Sequence, residues 1–475
     1  MKYQTVIGLE VHLQLNTKTK AFCGCSTDFG KDPNSNVCPV CLGFPGSLPV
    51  YNRQALNSAI KLALAFHCQI QETTKFDRKN YFYPDLPKNY QISQYDLPLS
   101  RNGYLDIDVQ GSAKRIGITR VHLEEDAGKL IHETEVSLVD FNRTGIPLLE
   151  IVSEPDLNSP QEAFDYLTSL KSIIEYLEVS DCDMEKGSLR CDANISLRLQ
   201  GANELGVKTE LKNMNSFKGV KDALTFEVER QTQLLESNQK LVQDTRLWDD
   251  QKGLTVAMRT KEGAKDYRYF PDPDLTVFTI EESMIAQIKA QLPELPQEKL
   301  WRFVHDYGLT IYDAKILVSS KKDAQFAESC LQSYPGKDKK EMVNWLNGPL
   351  LGEANLRKVK LHELNIKQQE LINLIGFVQR QEISHLSAKN VLSQLIDTGR
   401  TAQELIQAGN LQQISSIDAL SAVIETVIQE NAKSVNDFKS GKANALMYLV
   451  GQVMRKSSGK ANPKVVGELI SKRLA

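Results

Sequence analysis

Residues 5 to 15 read TVIGLEVHLQL, and their alternation sets two ionisable groups side by side. Successive side chains of a β-strand point to opposite faces. Leu9, Val11, Leu13 and Leu15 therefore share one side, and Gly8, Glu10, His12 and Gln14 the other. The same split recurs in LRCDANISLRL, where Leu189, Cys191, Ala193, Ile195, Leu197 and Leu199 oppose Arg190, Asp192, Asn194, Ser196 and Arg198. In VKTELK, Val207, Thr209 and Leu211 oppose Lys208, Glu210 and Lys212. Two carboxylates break the pattern. Glu125 takes the apolar parity of Val121 and Leu123, and Glu150 lies inside the apolar run IPLLEIVSE.

A carboxylate in a buried strand is costly unless protonated, paired or bound to a metal. Pairing with a cation such as Arg143 or Lys129 is one account of Glu125 and Glu150. The other treats the carboxylates together. If these strands form one antiparallel sheet, Glu10, His12, Asp192 and Glu210 crowd one face, and a hard divalent cation relieves their repulsion. Oxygen-rich ligation with one imidazole suits Mg²⁺ or Mn²⁺. With Lys and Arg nearby, that chemistry points to phosphoryl transfer, in which positioning and charge neutralisation dominate. GANELGVKT at 201 to 209 has Val207 before Lys208-Thr209, so it is no Walker A loop and is expected to be a hairpin turn. A GxSxG element is absent too.

Four of the eight cysteines form CGC, Cys23 and Cys25, followed after twelve residues by CPVC, Cys38 and Cys41. Two tight pairs closed by a loop match a tetrahedral four-thiolate Zn²⁺ site, which is closed and hence structural. Disulfides compete with that reading, but a cytosolic chain disfavours them. Cys68, Cys182, Cys191 and Cys330 are scattered and read as small core residues.

The elements that must position these groups follow from wider patterns. At 475 residues the chain exceeds what one core organises. Strands, turns and a few helices alternate as far as residue 292. The clearest helix start is Ser159-Pro160-Gln161-Glu162, an N-cap, a first-turn proline and a capping-box glutamate. RKNYFYPDLP from Arg78 and DYRYFPDPDL from Asp266 echo one another as rigid loops presenting rings and charges; they suit stacking on a base and contact with phosphate, but taken alone the simpler reading is that the tyrosines cover a sheet edge. After PELPQEK, Gln, Lys, Leu, Ile and Ala dominate with helical spacing. The expected division is 1–292, 293–405 and 406–475. From Asn436 to Ala475 there are eight Lys or Arg against two acidic residues, either a nucleic-acid patch or a solvated helical face. The net charge of −3 gives no global attraction to nucleic acid. No apolar run reaches the roughly 18–20 residues that span a bilayer, and no signal-peptide core opens the chain, so a cytoplasmic location is expected.

GLEVHLQL, FDRKNYFYPDLPKNYQISQYD, HLEEDAGK, DFNRTGIPLLEIVSEPD, GSLRCDANISLRL and KTELKNMNSFKG together resemble the B-subunit family of the aspartyl/glutamyl-tRNA amidotransferases, and DYRYFPDPDL, GKANALMYLVGQVM and GKANP extend the likeness over nearly the whole length. The resemblance implies an α+β fold: an antiparallel-sheet cradle with a kinase-type site, then a helical domain and a small helical tail that holds tRNA. It implies an ATP- and Mg²⁺-dependent ligase working with an amidase subunit and a small third subunit. Glu on tRNA(Gln) or Asp on tRNA(Asn) would be phosphorylated on its side-chain carboxylate and amidated with ammonia delivered through a channel. On matching positions it implies Glu10, His12, Glu125, Glu150, Asp192 and Glu210 as metal and ATP contacts, with His12, Glu125 and Glu150 holding Mg²⁺. It further implies Lys79 and Arg190 as charge stabilisers, Tyr81 and Tyr83 as pocket lining, and Cys23, Cys25, Cys38 and Cys41 as a zinc site that some members keep. No amidase-type Gly/Ser-rich signature occurs, so ammonia must come from elsewhere. Two rival readings are a Mg²⁺-dependent nuclease or phosphotransferase on RNA, built on clustered carboxylates, and a zinc-stapled RNA-binding scaffold without catalysis.

Overall fold

The computed structural model describes residues 2–258, 267–411, 417–457 and 461–474. The chain divides into two compact units, Met1–Leu295 and Pro296–Ala475.

The first unit is built on a nine-stranded sheet. From one edge to the other its strands are Leu254–Ala257, Asp244–Asp249, Thr209–Met214, Leu189–Leu199, Tyr3–Gln14, Pro147–Ser153, Ser112–Glu125, Ser100–Val109 and Gln69–Ile70. All neighbours run antiparallel except Thr209–Met214 beside Asp244–Asp249, which is parallel. The sheet is thus mixed, where the sequence alone suggested a purely antiparallel one. That parallel pair exists because the helix Phe217–Glu236 carries the chain from one strand to the other.

Alternation decides which face is buried. Leu9, Val11, Leu13 and Leu15 are at most 3 % exposed, and each side chain so buried contributes about 1.5–3 kcal/mol. They enter a core with Leu123, Leu149, Ile151, Cys191, Ala193 and Leu211. The helices Arg53–Ala65, Pro160–Leu177 and Phe217–Glu236 cover that face. The parity lapses at the turn that follows, with Leu199 and Val207 exposed. The turn 200–208 joins the antiparallel strands Leu189–Leu199 and Thr209–Met214, as GANELGVKT suggests. Gly206 is required there, because a Cβ would lie 2.0 Å from the Leu197 carbonyl oxygen. Helix Pro160–Leu177 starts as its sequence indicates, Ser159 Oγ accepting from the Glu162 N–H. The second half of the capping box is shifted by one residue: Glu162 accepts from the Asn158 N–H and pairs with Lys114.

A three-stranded sheet, Asp77–Asn80, Tyr90–Ser93 and Phe270–Pro271, joins the two echoing loops of the sequence. Arg78 lies opposite Phe270, and the Asn80 N–H donates to the Tyr267 carbonyl. Asp266, the first residue of the second loop, lies outside the described residues.

The second unit is helical in its described residues, from Pro296–Tyr307 to Pro463–Leu474. Helices Ile417–Glu430, Ala432–Lys439, Ala443–Lys456 and Pro463–Leu474 share a core of Leu420, Ile424, Val427, Leu449, Val453, Val466 and Ile470.

Candidate active site

Register, rather than parity alone, assembles the polar face. His12 lies opposite Glu150 on one side and Arg190 on the other, and Glu150 lies opposite His122. One row across four strands therefore runs His122, Glu150, His12, Arg190. His12 Nε2 is 3.4 Å from Glu150 Oε2, and His122 Nε2 is 3.5 Å from the same oxygen and 3.2 Å from Glu124 Oε1. His12, Glu124 and Glu150 each offer a ligand atom, all within 4.8 Å of one another.

The rest of the site holds these groups in place. Ser93 Oγ donates to Glu124 Oε1 at 2.7 Å and Gln91 Nε2 to its Oε2 at 3.2 Å, so the small sheet grips the carboxylate from above. Arg120 Nε donates to His122 Nδ1, which leaves the proton of a neutral imidazole on Nε2, facing Glu124 and Glu150. Burial opposes the charge on Glu150 and on Glu124. The imidazoles nevertheless hold both carboxyls below the ordinary carboxylate range, His122 and His12 acting on Glu150 and His122 on Glu124. Burial likewise opposes an imidazolium at His12, but the Glu150 hydrogen bond and the Glu124 and Glu150 charges outweigh it and raise its pKa. Two ionised, converging carboxylates beside one imidazole are a donor set that fits a hard divalent cation.

The Lys79 charge acts on this cluster, favouring the ionised form of Glu124. Its Nζ lies 4.9 Å from the centroid of the Tyr267 ring and 6.0 Å from that of Tyr81, with no carboxylate within ion-pairing distance among the described residues. Burial, aided by the Asp85 and Glu124 charges, pushes the Tyr81 phenol up, so it stays a hydroxyl donor. Tyr95 and Tyr269 stack at 4.3 Å nearby, and burial raises Tyr269 as well. Tyr83 is exposed at 48 % and takes no part in these contacts.

The other expected residues divide into separate networks. Glu10 lies opposite Asp192 and accepts from Asn194 Nδ2 at 3.0 Å. Lys212 bridges Asp192 and Glu210, the latter at 3.0 Å, so these carboxylates are neutralised by a lysine one row away from His12. Arg190 is engaged by Asp126 at 2.8 Å, with Gln14 and Arg143 also on that carboxylate. Glu125 is not part of the His12 cluster. Its strand parity sends it to the opposite side of the sheet, where it pairs with buried Lys88 and accepts from the Ile92 N–H at 2.9 Å. The paired-carboxylate account therefore holds for Glu125, with Lys88 as partner in place of Arg143 or Lys129. The adjacent Glu124 occupies the place expected of it. His122, Glu124 and Asp126 were not singled out by sequence pattern, although Arg120, His122, Glu124 and Asp126 share one parity in TRVHLEED.

The four cysteine thiols Cys23, Cys25, Cys38 and Cys41 also converge within 4.8 Å and are free of disulfides. The Cys38 N–H donates to Cys41 Sγ at 3.2 Å. The Cys23 thiol, that N–H and the Lys20 charge favour Cys41 as a thiolate and pull it down to about 4, against burial. The set fits a closed tetrathiolate metal site.

A mostly antiparallel sheet thus brings His12, Glu124 and Glu150 together on one polar face, with the Lys79 ammonium among the rings of Tyr81 and Tyr267 on the small sheet that packs on it. The family described as "GatB/GatE catalytic domain" matches residues 5–286, and "GatB domain" matches residues 325–474. A relative from Caldanaerobacter subterraneus subsp. tengcongensis, named as the B subunit of an aspartyl/glutamyl-tRNA(Asn/Gln) amidotransferase, is 52 % identical over 476 residues, covering 100 % of both chains. Relatives of the same name from Thermoanaerobacter sp. and Brevibacillus brevis are 51 % and 50 % identical over 100 % of this chain and 100 % and 99 % of their own. The chain belongs to the family of B subunits of the tRNA-dependent amidotransferases, glutamine-hydrolysing carbon–nitrogen ligases of translation. Among the described residues no helix is long and apolar enough to cross a membrane.

Proposed function

We propose that the cradle phosphorylates the side-chain carboxylate of Glu on tRNA(Gln), of Asp on tRNA(Asn), or of both, using ATP, and that ammonia from a partner amidase subunit then completes the amide. A carboxylate oxygen takes the terminal phosphoryl group and ADP leaves; ammonia attacks the acyl carbon and inorganic phosphate leaves. Direct amidation would have to expel an oxide from the carboxylate, whereas the acyl phosphate offers a far better leaving group, and a closed path keeps ammonia unprotonated. The observation that carries this reading is the convergence of His12, Glu124 and Glu150, with the Lys79 charge acting on Glu124.

His12, Glu124 and Glu150 would hold Mg²⁺, which when bound would neutralise phosphate charge. Lys79 binds and orients the transferring phosphate, a role that needs a cation not already spent on a carboxylate. Tyr81, Tyr267 and Tyr269 wall the site, and the Tyr81 hydroxyl donates to the ligand. Arg190 acts through Asp126 in positioning Gln14 and the end of the first strand. Cys23, Cys25, Cys38 and Cys41 would hold a structural Zn²⁺. A small third subunit completes the complex, the basic stretch from Asn436 binds the tRNA body, and the assembly works in the cytoplasm. Of that stretch, Ser458, Gly459, Lys460 and Ala475 lie outside the described residues.

The test is transamidation with this chain, its amidase and third subunits, Mg²⁺-ATP, glutamine and Glu-tRNA(Gln), followed by identification of the esterified amino acid. Glutamine on intact tRNA, dependent on ATP and on this chain, supports the reading. Unchanged glutamate, and unchanged aspartate on tRNA(Asn), would overturn it. Shortened tRNA would favour an RNA nuclease, and tRNA binding without ATP turnover a scaffold.

A further inference from the structure

Lys20 is one of the largest fully buried side chains of the first unit, 1 % exposed. A buried ammonium is expensive unless an anion meets it. Among the described residues no carboxylate lies within ion-pairing distance of Lys20. Its Nζ donates to the carbonyls of Asn36 at 2.7 Å and Phe141 at 3.3 Å, and its third neighbour is Cys41 Sγ at 3.6 Å. The Lys20 backbone N–H donates to the Cys25 carbonyl at 3.0 Å. One residue thus grips both halves of the cysteine cluster, the CGC pair through its main chain and the CPVC pair through its side chain.

Charge balance gives this placement a meaning. Four thiolates around Zn²⁺ carry a net charge of −2 in a half-buried pocket, and a cation against one sulfur halves it. The Cys38 N–H on Cys41 Sγ adds a second donor to the same sulfur. Outer-shell donors of this kind typically change metal affinity 10- to 100-fold. Resting on the tetrathiolate zinc reading, we propose that Lys20 is the charge-neutralising partner of the cysteine site and that retention of zinc depends on its ammonium. It is a positioning residue, since it touches the ligand sulfur and not the metal.

The competing explanation is mechanical: Lys20 ties the segment carrying Asn36 to the backbone at Phe141 through two carbonyl hydrogen bonds. Two variants separate the accounts. Lys20→Met removes charge and donors together, whereas Lys20→Gln removes the charge but keeps N–H donors for the carbonyls. Zinc affinity is measured by competition against a chromogenic chelator at fixed neutral pH, on full-length chains shown by circular dichroism to be folded. The expected result is zinc binding weakened about 10- to 100-fold in both variants. The Co²⁺-substituted proteins should also show a shifted thiolate-to-metal charge-transfer band, which loop tethering alone would not move. Wild-type affinity in Lys20→Gln would overturn the proposal, as would failure of both variants to fold with zinc supplied, because either places the lysine's role in the chain contacts. A wild-type chain that takes up no zinc would instead remove the zinc reading and the proposal with it.

Discussion

Glu150 Oε2 is approached by two imidazoles from the strands on either side, His12 Nε2 at 3.4 Å and His122 Nε2 at 3.5 Å. The His12–Glu150 pair is the hinge of the site: despite burial, each partner favours the charged form of the other, with Glu150 held below its ordinary range and His12 raised. Glu150→Gln keeps the shape of the side chain and removes the charge on which the proposed cation site depends. Amide formation should fall on the order of 100-fold or more, a loss comparable to removing one electrostatic stabiliser from an active site. Affinity for tRNA should stay unchanged, as read by filter binding beside the transamidation rate. A Glu150→Gln chain with wild-type turnover would take Glu150 out of the chemistry.

Lys88 and Glu125 form a pair only 7 % and 3 % exposed at their side chains. Breaking a buried pair leaves one charge uncompensated, at a cost of about 3–5 kcal/mol. Lys88→Met should therefore destabilise the first unit by about that amount, and Lys88→Met with Glu125→Gln should recover most of it. Urea denaturation of the single and double variants closes the cycle. Additive losses would mean that the two groups do not sense each other.

The alternation that sorts Leu9, Val11 and Leu13 from Glu10 and His12 was legible because a strand's period is two and one face is fully buried. Partnership across strands was not legible. It depends on register between segments far apart in the chain, as where His12 meets Glu150 and Arg190. Glu125 drew attention by taking the apolar parity, and that parity points it away from the polar face, whereas Glu150, set in an apolar run, falls opposite His12 on that face. Glu124 and His122, which obey the alternation, stand with His12. Lys79 over Tyr267 joins residues from two loops whose likeness was visible but whose pairing into one sheet needed three dimensions. The four cysteines needed least, since their local spacing already encloses a metal-sized space.

In the helical unit, Glu328 faces Lys299 at 2.8 Å and Arg302 at 2.5 Å. Burial opposes its charge, but hydrogen bonds from Arg302 and Lys299 outweigh it and pull the carboxyl down to about 2. A carboxyl depressed in the folded state stabilises the fold fully above its unfolded value, near 4.5, and that contribution fades as pH falls towards 2. Discounted for solvent screening, it amounts to about 1–2 kcal/mol. Glu328→Gln should therefore lower the urea midpoint at pH 7, and the gap from wild type should shrink steadily below pH 4.5. A gap that stayed constant down to pH 3 would show that the carboxylate charge is not what stabilises the helix pair.

Lys79 gives the sharpest separation between a stabilising and a functional lysine. It has no carboxylate partner among the described residues and rests over the rings of Tyr267 and Tyr81. A cation over an aromatic ring at a partly open site contributes only about 0.5–1 kcal/mol, so Lys79→Met should leave the unfolding midpoint almost where it was. Its effect on catalysis should be far larger. An ammonium that meets phosphate only as charge develops is worth roughly 10²–10³ in turnover, and its loss should appear in kcat more than in the KM for ATP. Lys79→Arg should recover part of the rate, since it restores charge with a different shape. Steady-state transamidation of the assembled complex, run beside chemical denaturation of the same preparations, distinguishes the outcomes. Equal and large losses of stability and rate would make Lys79 a structural residue, whereas a silent substitution in both would remove it from the site.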